Sequence, residues 1–437
     1  KNAALILGEL ESEDVLPWLY EAYEKEKQLF VRESYLKAME KLNFSQMLPK
    51  LKKRQKTLQE ELLYAADEGK KHLQKEAAVL SRMILKYEKP KHHTFCGGKT
   101  EDVILLCNRN NRQITARQIQ TGEVSMLAGG VRIQGADLQE IAKIRTWQEL
   151  LFPLHGKVER EYTAEAAAQT VWNTEIMELL QSLHEEKGAF LFRIEYKGSL
   201  DERKKSEFVK KTAALLEEKS ERMLINSISD YEIEIRIVES KKGGYLPFLR
   251  LYTMEDERFA YRKESIAASI APVNAALIMQ IAGDHLKENA QVLDPFCGVG
   301  TMLIERDIRV PAREKYGIDI FGEAIRGARE NASYAGEKIN FINRDYFDFT
   351  HAYLFDEIIT NMPVRGRKSK EETDTFYGRF FEKSAGLLKA DGILVLYSNE
   401  QGFIRKQLRI RSAYRLLAEQ CIREKDQFYL FVIQYKG

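Results

Sequence analysis

The chain has 437 residues, 68 of them Lys or Arg and 66 Asp or Glu, for a formal net charge of +2. That length gives room for two to four domains and several cores, and the charge balance excludes a polycationic nucleic-acid binder, so any such contact must come from local patches. Cys96, Cys107, Cys297 and Cys421 are far apart and lack zinc-ligand spacing, and a chain of this size needs no disulfide framework, which fits a reducing, cytoplasmic setting.

The N-terminal segment reads as helical hairpins. Leu16-Pro17-Trp18-Leu19 returns as Leu48-Pro49-Lys50-Leu51, an offset of 32 shared by Leu10 with Leu42 and by Leu7 with Met39. A repeat of this length with helical periodicity is expected to form an α-solenoid-like array. The segment resembles HEAT-type repeats; an ordinary helical bundle is the alternative. The chain opens at Lys1, without a methionine and inside the first repeat, so natural sequence is expected to precede it. No signal-peptide pattern is read. The longest apolar run, from Ala267, is broken by Pro272, Asn274 and Gln280 and is too short for a bilayer, so no membrane contact is expected. The helix in "KKHLQKEAAVLSRMILKY" closes a first domain, residues 1–88.

Lys89-Pro90-Lys91-His92-His93 marks a boundary. The two histidines are expected to be a solvated loop pair; without partner ligands they make no metal site. Residues 89–187 read as a small β-containing region and linker, in which "DVILLCNRNNRQITARQI" is expected to form a β-hairpin about Asn108 to Asn111. Residues 188–264 carry a strand ("AFLFRIEY"), an amphipathic helix ("ERKKSEFVKKTAALLEEKS"), a strand with Ile233, Ile235 and Ile237 on one face, a Lys-Lys-Gly-Gly turn and another strand ("YLPFLRLYT"). That order predicts a small α+β module.

From residue 265 to 437 strands and helices alternate. The strands are expected at "QVLD", "KYGIDI", "NFIN", "FDEIIT", "GILVLYS" and "FYLFVIQY". This is the pattern of a doubly wound, Rossmann-like α/β sheet. The last 22 residues or so leave no room for a crossover helix, so the sheet should close in an antiparallel hairpin.

The stretch "VLDPFCGVGTMLIE" holds the candidate ligand site. Asp294 ends a strand, Gly298 and Gly300 allow a tight turn, and Thr301 starts a helix. A dinucleotide fingerprint wants a third glycine where Leu303 stands, and a phosphate-binding loop wants a lysine that Gly300-Thr301 lacks. S-adenosylmethionine needs neither, because it has no phosphates to cradle. In that reading Asp294 serves the ammonium end and Asp319, ending the second strand, accepts from both ribose hydroxyls. Asp345 would accept from the adenine amine and Ile320 would pack on the ring; as alternatives, Asp345 or Asp348 is a helix N-cap.

After the fourth strand comes "TNMPVRGRK". It resembles the Asn-Pro-Pro-Tyr motif of methyltransferases that act on exocyclic amino groups. With "FRIEY", "SISDYEIEIRI", "ERFAYRKESIAASIAP" and "LDPFCGVGTMLIE", the chain from about Gly188 resembles the THUMP-domain RNA methyltransferases that make N2-methylguanosine or related bases. The resemblance implies that residues 188–264 are a THUMP-like RNA-binding module and residues 265–437 a class I methyltransferase. It implies that Asp294, Phe296, Gly298, Gly300, Thr301, Asp319, Ile320, Asp345 and Tyr346 hold S-adenosylmethionine. Asn361, Met362 and Pro363 would be catalytic: the Asn361 side-chain oxygen and the Met362 carbonyl accept the two hydrogens of the target amine, and Pro363 fixes the loop. Met362 stands where the motif has its first proline and Val364 where it has the stacking ring; Phe376 and Tyr377 are the nearby rings that could substitute. The motif has no cysteine, against carbon-5 pyrimidine methylation.

Basic clusters at "KLKKRQK" from Lys50, "RGRKSK" from Arg365 and "RKQLRIR" from Arg405 are candidate phosphate contacts, with Arg365, Arg367 and Lys368, beside Val364, favoured for substrate. The expected function is methyl transfer to a base amine in structured RNA, tRNA or rRNA. The alternatives are a DNA amino-methyltransferase and a non-catalytic scaffold that binds cofactor and uses its helical repeats for a protein partner.

Overall fold

The computed structural model describes residues 2–9, 13–64, 67–87, 92–97 and 100–437. Its first stretch is helical: α1 (Asn2–Glu9), α2 (Leu16–Lys25), α3 (Leu29–Met39), α4 (Leu48–Tyr64) and α5 (Asp67–Tyr87). The Leu-Pro steps start α2 and α4 for a local reason. A 3₁₀ turn, Glu13–Val15 or Ser45–Met47, hands over to a helix whose proline lies in the first turn, where its missing N–H leaves no bond unmade. Leu16, Leu19, Met39, Leu42 and Leu51 are buried in one core, while Leu10 lies outside the described residues. Arg54, from the first basic cluster, is held inside this stretch. It bonds Glu76 at 2.9 Å and Glu61 at 2.7 Å, so it is a structural ion-pair residue rather than a phosphate contact.

Next come β1 (Thr100–Cys107), α6 (Arg112–Ala116), β2 (Glu123–Leu127), β3 (Gly130–Asp137) and α7 (Leu138–Ile141). The expected hairpin about Asn108 is not formed. Asn108 Oδ1 accepts from the Asn110 amide at 3.2 Å and from Asn111 Nδ2 at 2.9 Å, which caps a helical turn, and the alternating run becomes α6. The hairpin is instead β2 with β3, turned at Ala128-Gly129, and β1 pairs antiparallel with the far side of β3.

The third stretch holds β4 (Trp147–Pro153), α8 (Ala164–Trp172), α9 (Ile176–Leu183), β5 (Phe190–Lys197), α10 (Glu202–Lys219), β6 (Leu224–Asn226), β7 (Ile233–Glu239) and β8 (Tyr245–Leu251). The expected strand, helix, strand and strand are all present, with α8, α9 and β6 added. The strands run β4-β8-β7-β5-β6, with β5 parallel to β6 and β7. Ile233, Ile235 and Ile237 are fully buried, but so are Glu232 and Glu234 on the opposite face. Glu234 is satisfied by Arg193 and Arg236, each at 2.6 Å. Glu232 corrects the reading of the histidine pair. His93 is buried, stacked on Phe190 at 3.8 Å, with Nδ1 2.8 Å from Glu232; His92 alone is exposed.

The last stretch comprises α11 (Pro272–Ala282), β9 (Gln291–Asp294), α12 (Thr301–Arg309), β10 (Glu314–Asp319), α13 (Gly322–Ala335), β11 (Asn340–Asn343), β12 (Phe355–Asn361), α14 (Lys370–Ala385), β13 (Leu388–Ser398), α15 (Gln401–Ile410), β14 (Tyr414–Arg423) and β15 (Phe428–Tyr435). The sheet order is β11-β10-β9-β12-β13-β15-β14, parallel except for the closing antiparallel hairpin β14–β15. One apolar core joins α11, α12 and α13 to the sheet and another joins α14 and α15. Arg306 and Glu357, both fully buried, tie α12 to β12 through two hydrogen bonds of 2.8 and 2.9 Å.

The chain groups into two units, Lys1–Lys99 with Leu151–Glu255 and Thr100–Leu150 with Asp256–Gly437. In the second, Arg145 binds the buried Glu305 of α12 through two bonds of 2.7 and 2.9 Å, to which Tyr261 adds a third at 2.8 Å. Asn108 and Asn111 donate to the Ile422 and Cys421 carbonyls.

Candidate active site

Four buried residues of β9 end at Asp294, and the chain turns at once into α12. The turn needs its glycines. Gly298 has φ +50° and Gly300 φ +83°, and a Cβ on Gly300 would stand 3.0 Å from the Phe341 ring. The Gly298 amide donates to Asp319 Oδ2 at 2.9 Å, so the ends of β9 and β10 form one construction. Asp319 Oδ1 accepts from the Phe321 amide at 2.9 Å.

Asp294 is 1 % exposed. Its Oδ1 accepts from the Phe296 amide at 3.1 Å, while Oδ2 is buried without a hydrogen-bond partner. The Thr301 hydroxyl, which begins α12, is also buried without a hydrogen-bond partner, whereas the Thr360 hydroxyl, one residue before the end of β12, stands against the Asp294 carboxyl and favours its charged form. Buried polar atoms are normally satisfied, so a buried carboxyl met only by the Phe296 amide and the Thr360 hydroxyl, beside an unpartnered Thr301 hydroxyl, marks a place for a polar ligand. Burial pushes the Asp294 carboxyl up to about 7, and the Asp319 charge adds to the rise.

Beside this turn, Ile320 and Phe321 stand exposed at the head of α13. Asp345 accepts from the Phe347 amide at 2.9 Å and so caps the 3₁₀ turn Tyr346–Asp348. The ring of Tyr346 lies in the core, with its hydroxyl 3.0 Å from Ser384. It carries Phe296, whose ring centre is 5.6 Å away, from below.

Asn361 ends β12, the neighbour of β9, so its side chain and the glycine turn share the carboxyl end of the sheet, where open α/β sheets bind ligands. Asn361 Nδ2 donates to the Ala268 carbonyl at 3.1 Å, which leaves Oδ1 as an acceptor. Met362 is buried, its amide donating to Tyr397 O at 2.9 Å. Pro363 and Arg367 are exposed, and Val364 is 52 % exposed. Arg365 lies 3.8 Å from Glu400 and Lys368 hangs over the Phe376 ring at 5.2 Å. Of the two substitute rings, only Phe376 is available: it is half-buried, 5.6 Å from Phe296. Tyr377 is buried, bonded to Ser398 and stacked on Phe403. In the third basic cluster, Arg405 pairs with Glu419 and Lys406 with Asp374.

Asn331 is a positioning residue that no motif in the sequence marks. Fully buried in α13, it accepts from the Lys263 and Glu264 amides at 3.0 and 2.9 Å and donates to Glu264 O and Val299 O at 3.0 and 3.1 Å. One amide thus ties the glycine turn to the loop that leads to Ala268, and hence to Asn361.

This arrangement has relatives. Residues 260–420 match the family model UPF0020, an RMKL-like methyltransferase domain. The chain is 26% identical over 155 residues to the tRNA (guanine(10)-N2)-dimethyltransferase of Methanothermobacter thermautotrophicus, covering 34% of this chain and 45% of that protein. It is 30% identical over 119 residues to the U6 snRNA (guanine-N(2))-methyltransferase THUMPD2 of Bos taurus, covering 26% and 23%. The chain therefore spans less than half the length of these curated relatives. Among solved structures, TrmN from Thermus thermophilus shares the fold with a TM-score of 0.60 at 18% identity, over 77% of this chain and 99% of that one. The family match falls on the same residues as the glycine turn and the Asn361 loop, so residues 260–420 are similar to an RMKL-like methyltransferase domain in both sequence and site.

Proposed function

We propose that this protein transfers a methyl group from S-adenosylmethionine to an exocyclic amine, guanine N2, in structured RNA such as tRNA or rRNA. The observation that carries the reading is Asn361, clamped by Ala268 so that its side-chain oxygen is presented beside the glycine turn. The guanine-N2 chemistry named for the two curated relatives supports it.

The residues fit the cofactor. Asp294, a buried carboxyl met only by the Phe296 amide and the Thr360 hydroxyl, keeps acceptor capacity for the ammonium end, and the glycine turn lets the methionine end lie against backbone. Asp319 keeps lone pairs for ribose hydroxyls after meeting two amides. Phe296, Thr301, Ile320 and Asp345 line the path from there to the adenine, with Tyr346 as support beneath. When bound, S-adenosylmethionine supplies a methyl group on a positively charged sulfur.

The base amine is a poor nucleophile because its lone pair is delocalised into the ring. Asn361 Oδ1 and the Met362 carbonyl accept its two hydrogens and turn the lone pair toward the methyl group; positioning and electrostatics supply the rate. Pro363 stiffens the loop and Phe376 offers the face on which the base stacks in place of the missing ring at Val364. A paired base must first be flipped out.

In the same reading residues 1–88 are HEAT-like repeats open to a protein partner, with Trp18 73 % exposed. Residues 89–187 are a β-containing region, residues 188–264 a THUMP-like module that presents the RNA, and residues 265–437 the class I methyltransferase. The setting is cytoplasmic; no helix among the described residues is long and apolar enough to cross a membrane. Val364 favours a second reading, a scaffold that binds cofactor without turnover. Labelled methyl offered with bulk RNA, and separately with DNA, from a strain lacking the gene separates them. Label recovered as N2-methylguanosine supports the first reading, none on any RNA supports the scaffold, and label on DNA alone supports a DNA enzyme.

A further inference from the structure

A groove between α14 and α15 lies beside the Asn361 loop and has no part in the chemistry above. It is an open groove of about 580 Å³ whose charged lining is Lys370, Glu371, Asp374, Glu400, Lys406 and Arg409, with Asn399 and Phe403 between them. The sheet explains its place. Asn361 pairs in register with Tyr397, two residues before Asn399, so the groove opens at the same carboxyl end of the strands as the acceptor loop. Arg365 of that loop points to Glu400 of the groove across 3.8 Å, which joins the two regions.

The lining divides by what is already occupied. Lys406 and Asp374 neutralise each other at 2.6 Å. Lys370 and Arg409 are exposed and form no ion pair among the described residues, and the same holds for Glu371, the one acid of the lining without a cation paired to it. Phe403 is half-buried, with one face stacked on Tyr377 at 5.8 Å. The half-buried Asn399 has no side-chain hydrogen bond among the described residues, and its amide both donates and accepts. Two free cations, an aromatic ring and an unpaired amide answer a phosphate backbone, a base face and a base edge.

We propose that this groove seats a nucleotide of the substrate RNA next to the base being methylated. The proposal rests on the RNA reading above and takes it further by giving the strand a second point of attachment. The test uses the full chain carrying Lys370→Gln and Arg409→Gln. Both side chains face solvent, and unchanged S-adenosylmethionine affinity checks that the domain is intact. Binding of bulk tRNA from a strain lacking the gene should fall about tenfold at low salt. The log-log salt slope should become shallower by about 1.4, the share of two phosphate contacts on a single strand. Asn399→Ala should weaken binding and leave the slope alone. RNA carrying 4-thiouridine should crosslink within residues 399–409 whether or not methyl transfer occurs. RNA that binds and crosslinks there but is never methylated would sink the enzyme reading and leave the groove standing. Unchanged affinity and slope in the double variant, crosslinks confined elsewhere, no RNA binding by the wild type, or loss of a protein ligand with RNA binding intact would each overturn the groove proposal.

Discussion

Asp294 gives the sharpest test of the cofactor site, because its buried carboxyl titrates near neutrality, at about 7. A bound ammonium favours the charged form, so affinity for S-adenosylmethionine should follow the ionised fraction. Between pH 7.0 and pH 5.5 that fraction falls about fifteen-fold for a group of this pKa, so the dissociation constant should rise by about that factor. An α-amine keeps its proton through this window, so the change belongs to the protein. Calorimetry in two buffers of different ionisation enthalpy should show a proton released on binding at pH 6. Asp294→Asn should bind weakly and with a flat pH profile. The empty protein should show the opposite face of the same shift. A carboxyl whose folded pKa is raised above its unfolded value near 4 destabilises the fold progressively as pH rises from about 4 to 7. Asp294→Asn should therefore melt higher than the wild type at pH 8, by on the order of 2–4 kcal/mol of stability, and equal it at pH 4. A wild-type affinity that is flat from pH 5.5 to 7 would refute the placement of Asp294 against the ammonium.

Asp319→Ala removes a charged acceptor worth roughly 1.5–3 kcal/mol and should weaken S-adenosylmethionine at least tenfold by calorimetry; an unchanged constant would remove its ribose role. Arg306→Met leaves Glu357 a buried, half-unmatched charge and should cost about 3–5 kcal/mol in urea unfolding; a loss under 1 kcal/mol would show that the pair is not buried as described. Phe376→Leu should raise the KM for RNA several-fold with S-adenosylmethionine affinity kept, and Val364→Tyr in that background should recover it. Failure of the double change to recover would place the base elsewhere.

Much of the C-terminal sheet can be read from sequence, because its strands are short apolar runs and the first four end at Asp294, Asp319, Asn343 and Asn361. The glycine turn and Asp319 follow from the same local chemistry. Asn361 needed its neighbours Met362 and Pro363 to stand out. What the sequence hides are bonds between distant residues. Asn108 and Asn111 look like a hairpin turn, and become a helix cap tied to carbonyls more than 300 residues away. Asn331 sits in a plain helical stretch, with no local sign that it ties a loop to the glycine turn. His93 reads as solvated because Glu232, its partner, is 139 residues on. The ties of Arg145 and Tyr261 to Glu305 also show that a fragment starting at Ser265 would strip a buried carboxylate of its partners.

In the proposed reaction Asn361 holds a base amine for methyl transfer. Its most direct measurement is labelled methyl transfer to RNA from a strain lacking the gene, by the wild type and by Asn361→Ala, alongside S-adenosylmethionine affinity. The wild type should label guanine N2, and the variant should be slower by ~100-fold or more with nearly unchanged cofactor affinity, because the lost interaction is made with the reacting amine. A variant that transfers methyl at the wild-type rate would contradict that role, as would a wild type that labels no RNA.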